Sequence, residues 1–149
     1  MWTLNFFLVL LLQAPAPPRT VIVGFTDGAR VVIANPEFTG FIRGSGKDTV
    51  LFYRQRHIHG QMPADLLAKI EFGIYKRGQP FAMTLTLRSG QTLQVESEYS
   101  DFISLRGDTV VGPVAIKHPD PISPPLHISR QSPDRKKNLT IQYLEFPGP

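Results

Sequence analysis

From Met83 to Glu96 the chain alternates. Met83, Leu85 and Leu87 are set against Thr84, Thr86 and Arg88, then Leu93 and Val95 against Thr92, Gln94 and Glu96. A period of two marks a strand with one buried face, so this stretch predicts a β-hairpin. The register follows from the same alternation. A two-residue loop would place Leu87 opposite Thr92. The three-residue loop Arg88-Ser89-Gly90 pairs Leu85 with Leu93 and Met83 with Val95. It also puts Gly90 at the left-handed position of a bulged turn, and this second register is the one expected.

Short apolar runs punctuated by turn residues fill the rest of the chain. Thr20–Phe25 and Arg30–Ala34 flank Thr26-Asp27-Gly28 and predict a first hairpin, with Asn35-Pro36 expected to break its second strand. Phe38–Arg43 and Thr49–Tyr53 read as strands around the loop Gly44–Asp48, and His57–Met62 as another. Ala64–Lys69 has helical propensity, but its length allows no more than a turn or two. Ile70–Tyr75 returns to strand. Phe102–Leu105 and Val110–Lys117 are expected as strands around a turn at Arg106-Gly107-Asp108. His118–Pro125 is proline-rich and extended, Leu126–Ser129 a short strand, and Asp134–Lys137 a charged turn. Leu139–Phe146 closes the chain as a strand with apolar residues on both faces, which suits a covered position in a sheet. His57–Met62 and Thr109–Val114 share a polar–apolar–x–Gly–x–apolar order, a loose internal echo.

Composition sharpens this picture at three points. Fourteen prolines and twelve glycines match many short strands joined by turns. The absence of cysteine excludes a disulfide framework, thiolate metal sites and a cysteine nucleophile. Residues 1–16, MWTLNFFLVLLLQAPA, resemble a signal peptide: Leu4–Leu12 supplies the apolar core and Ala14-Pro15-Ala16 a small-residue cleavage box. That run is too short to span a bilayer as a helix. Residues 17–149 then form one domain, large enough to bury roughly two-thirds of its unfolded surface. The expectation is an exported, secreted or periplasmic protein. Its fold is all-β, a small antiparallel sandwich or partly open barrel of about nine short strands.

Ile70-Glu71-Phe72, the Thr84–Val95 hairpin and Ser104–Thr109 followed by Val111-Gly112-Pro113-Val114 together form a recognisable order of short patterns. That order resembles a module of uncharacterised exported bacterial all-β proteins, over about half of the chain. The resemblance implies an all-β exported domain. It implies no activity and assigns no functional residue.

Candidate chemistry is sparse. His57 and His59 are two apart, so a strand would project both from one face, a spacing that metal sites in β-proteins use. A third ligand would have to come from His118, His127, Asp120 or Glu71. Gly44-Ser45-Gly46-Lys47 lacks the glycine spacing and the Ser or Thr of a phosphate-binding loop, and no G-x-S-x-G nucleophile turn is present. Glu96 and Glu98 share a face of the hairpin arm, which suits a solvated rim. Basic residues cluster at Arg54 and Arg56, at Lys76 and Arg77, and at Arg135-Lys136-Lys137. Phe52 and Tyr53 beside the first cluster allow stacking next to charge, so Tyr53, Arg54 and Arg56 are the candidate ligand-binding residues. The net charge of +4 is too small to indicate nucleic acid, and no nucleic-acid partner or cofactor is expected.

Three functions fit these features. The first is a non-catalytic binding or assembly module, whose partner is an anionic polymer or another exported protein. The second is a metal-dependent enzyme built on His57 and His59. The third is an accessory domain that pairs with another protein by strand addition.

Overall fold

The computed structural model of the protein describes residues 19–74, 79–98, 103–118 and 141–148, with only the backbone of His118. The leader expected at 1–16 lies outside the described residues, as do the strand expected at 126–129 and the charged turn at 134–137. The all-β antiparallel architecture expected from the sequence is adopted as a closed barrel of eight strands, with three more outside the ring. The strands are β1 (Thr20–Phe25), β2 (Arg30–Gly40), β3 (Ile42–Ser45), β4 (Val50–Gln55), β5 (Ile58–Pro63) and β6 (Leu67–Phe72). They continue as β7 (Ala82–Leu87), β8 (Thr92–Ser97), β9 (Ile103–Thr109), β10 (Gly112–His118) and β11 (Ile141–Glu145). Around the ring the order is β1, β11, β6, β7, β8, β4, β3 and β2, and β2 pairs back onto β1. Outside it, β9 and β10 extend from β2, and β5 pairs with β4.

The β7–β8 hairpin has the expected register: Leu85 faces Leu93, Met83 faces Val95, and Gly90 has φ of +91°. The loop is closed by Leu87 donating to Gln91 and Gly90 donating to Leu87. A β-branched residue does not adopt that backbone without strain. Gly90→Val is therefore expected to lower stability by about 1 kcal/mol or more, read as a lower urea midpoint with an unchanged slope.

β11 lies between β1 and β6, with Ile22 beside Glu145 and Ile70 beside Leu144. The closing strand is thus a covered element, as its apolar residues on both faces predict. Ile141 and Leu144 enter one continuous core with Val21, Val23, Leu51, Ile70, Leu85 and Leu105. Strands outside the ring share that core, since Ile103 of β9 and Ile116 of β10 are also buried in it.

Two local expectations are corrected. Asn35-Pro36 does not end β2. Asn35 takes φ of +51°, a conformation asparagine tolerates, and the strand shifts register between Ala34 and Glu37 and continues as a bulge. Gly107 is not a turn but the middle of β9. A Cβ there would meet the Ala34 carbonyl oxygen at 2.7 Å, so the glycine lets β9 approach the bulge. The turn falls instead at Val110-Val111, where the Thr109 hydroxyl donates to the Gly112 carbonyl at 2.8 Å and Gly112 has φ of +124°. The helical signal at Ala64–Lys69 gives a single 3-10 turn, Ala64–Leu66, within the turn or two that its length allows, and β6 begins at Leu67.

One end of the barrel is stapled by two arginines. Arg19 pairs with Asp65 at 2.7 Å and donates to the Gly46 carbonyl, while Arg88 donates to the Asp65 carbonyl at 2.8 Å.

Candidate functional site

The sequence candidates gather around the β4–β5 hairpin. Gln55 and Ile58 are its last pair, which leaves Arg56 and His57 as a two-residue turn. Arg56 takes φ of +55° there. His57 therefore sits in the turn and only His59 is on β5. The expectation that a strand projects both histidines from one face does not describe this geometry, because the strand starts one residue too late.

Across the sheet, Arg54 faces His59 on one side and Glu96 on the other. Its guanidinium binds the Glu96 carboxylate at 2.7 Å, and both side chains are well exposed. An exposed pair of this kind contributes little to stability. It does neutralise the arginine that the sequence offers for an anion. Tyr53, one residue earlier, points to the opposite face, and its ring covers Gly60 where any Cβ would stand. Tyr53 packs against the core. Arg54 and Arg56 line one shallow depression with Gln55, Ala82, Gln94, Val95 and Glu96, and Tyr53 is not part of it. On this face the Phe52 ring lies 5.3 Å from the Arg43 guanidinium.

Glu98 departs from the solvated-rim expectation. Its side chain is only 3% exposed, and its carboxylate lies 2.5 Å from Nδ1 of His59, which is 59% exposed. A buried carboxylate needs such a partner, and with the proton on Nδ1 the ring donates to it. The two glutamates thus differ. Glu96 is a surface ion pair and Glu98 a buried acceptor. Nothing in the sequence could have shown this, because the contact joins residues 39 apart through the β4–β8 pairing.

His59 and Glu98 are two metal-ligating groups. Among the described residues no third His, Asp or Glu joins them to form a metal-binding cluster. Glu71 is on β6 and pairs with Lys69 at 3.0 Å. Asp120, His127, the Lys76-Arg77 group and the Arg135–Lys137 group lie outside the described residues, as does the side chain of His118.

A second shallow depression follows the β2 bulge and is lined by Asn35, Glu37, Arg106, Asp108 and the start of β10. Its charges are mixed, so it favours neither an anion nor a cation. The remaining feature is main-chain, an exposed edge of the kind that strand addition requires. β5 has a neighbour on one side only, and its outer edge is unpaired among the described residues. The signal was present in Ile58–Pro63, which contains no Lys, Arg, Asp or Glu. No family model matches the chain, and no curated protein or solved structure matches it either.

Proposed function

We propose that the chain is an exported, non-catalytic assembly module that engages a protein partner by strand addition at the outer edge of β5. The observation that carries this reading is the edge of β5, which among the described residues is a row of unpaired main-chain donors and acceptors without the charged residues that usually guard one. The filled interior agrees with it. Buried side chains from the ring and from the outer strands form one core, which leaves the outside of the barrel to carry recognition. Export rests on the apolar run at residues 1–16.

Titrating the full chain into labelled, extended peptides of alternating apolar and polar residues tests the proposal by fluorescence anisotropy. Saturable binding is expected that changes little with salt and disappears in Gln61→Pro, which removes an outward N–H without touching the β4 pairing. Retention on heparin that falls steeply with salt, survives Gln61→Pro and is lost in the Arg54→Gln, Arg56→Gln double variant would replace this reading with an anionic-polymer module.

A further inference from the structure

We infer that the occupant of the β5 edge is a second copy of this chain, joined antiparallel about a two-fold axis through Gly60. The inference rests on the reading of β5 as the working edge and adds the identity of the partner.

The hydrogen-bond phase of β5 follows from its hairpin. A two-residue turn can close only on a pair that exchanges both main-chain bonds, so Gln55 and Ile58 are such a pair. Alternation then directs the N–H and C=O of Ile58, Gly60 and Met62 towards β4, and those of His59 and Gln61 away from it. Two bonds at the margins agree: Ala64 donates to the Thr49 carbonyl, and Phe52 donates outward to Phe41 at 2.8 Å. Pro63 also faces the free edge but has no N–H.

An antiparallel copy centred on Gly60 sets His59 opposite the partner's Gln61 and Gln61 opposite the partner's His59. Each couple exchanges both of its bonds, and Pro63 is not used. Shifting the centre to Gln61 would place His59 opposite the partner's Pro63, leaving the His59 carbonyl without a donor. Side chains select the same register. A two-fold axis normal to the sheet keeps each residue on its own face, so Ile58, 65% exposed, comes to lie beside the partner's Met62. Ile58 is one of the large apolar side chains left in solvent, and this register sets it against the rim of the core at Met62, which is 8% exposed.

The other outlying edge is guarded. Each edge has one proline, Pro63 at the end of β5 and Pro113 near the start of β10, but β10 also carries Lys117, a residue type that keeps edges apart. β5 has Gly60 at its centre and no formally charged side chain besides the histidine held to Glu98. An interface made from one short strand is small, so the dimer is transient and concentration-dependent.

Sedimentation equilibrium of the full chain up to ~1 mM tests this. A reversible monomer–dimer equilibrium is expected, abolished by Gln61→Pro and weakened by Ile58→Lys, with far-UV circular dichroism unchanged in both. Register is tested by trapping. The chain has no cysteine, and Ile58→Cys with Met62→Cys places thiols on a non-hydrogen-bonded pair across the axis, within disulfide reach. That variant should form a covalent dimer on mild oxidation, and adding Gln61→Pro should prevent it. A monomer throughout, or association that survives Gln61→Pro, overturns the inference. If monomeric chain still binds extended peptides through Gln61, the assembly reading stands and only self-pairing is lost.

Discussion

Ending the chain at Asn138 should yield insoluble or unfolded protein. The truncation removes β11, which pairs with β1 on one side and β6 on the other, so the eight-stranded ring loses its closure. Ile141 and Leu144 leave the core, and Phe146, whose ring lies 6.2 Å from that of Phe38, leaves with them. At ~1.5–3 kcal/mol for each buried apolar side chain, the loss is on the order of 5 kcal/mol before any backbone pairing is counted. A domain stable by about 5–15 kcal/mol does not readily absorb that. Two strand edges, on β1 and β6, would also become available for aggregation. Expression of the truncated chain, followed by a solubility assay and a thermal melt, checks this. A soluble product that melts cooperatively would show that β11 is dispensable.

Phe41→Ala should lower stability by about 3–5 kcal/mol, a large part of the whole. Phe41 occupies the corner between β2 and β3, follows Gly40 at φ of +120°, and is fully buried. Its ring lies 6.1 Å from Phe72 and 5.6 Å from Phe81, which are themselves 6.0 Å apart. Removing one member of this triangle leaves a cavity that the corner cannot close, because the Phe41 carbonyl is held by the Phe52 N–H. Phe41→Leu, which keeps most of the volume, should cost much less. Urea unfolding checks both variants through the midpoint, with the slope reporting whether the native state stays compact.

The parts of the fold legible in the sequence are those set by neighbours in the chain. Alternation from Met83 to Val95 with Gly90 at the turn fixes a hairpin because face, register and loop length all depend on nearby residues. Asp27-Gly28 likewise marks the first hairpin, where the Asp27 carboxylate accepts from the Ala29 N–H at 2.9 Å. The errors come from contacts distant in sequence. Asn35-Pro36 and Gly107 each read locally as a break, yet they are two halves of one feature, a bulge and the glycine that accommodates it. The candidate site was legible only in part. The hairpin carrying His59 was visible, but its exact first residue was not, and that one position separates His57 from His59. The burial of Glu98 depends on which strands close the ring, a matter of topology that no local pattern encodes, whereas the edge of β5, unpaired among the described residues, had a local sign in its uncharged run Ile58–Pro63.

The neighbouring placement of β1 and β11 also sets how the molecule responds to force. Thr20 starts β1 beside the end of β11, so the described chain enters and leaves the barrel at the same end. Tension applied between those two points acts across the strands and opens the pair one rung at a time. It does not shear all the rungs together. The barrel is therefore expected to yield at low load when stretched from Arg19 and Gly148, and to resist far more when the second handle is moved from Gly148 to Ile141 at the start of β11, because the load then acts at opposite ends of the β1–β11 pair. In single-molecule pulling, the first geometry should give a small early rupture followed by loss of the rest, and the second a single high peak.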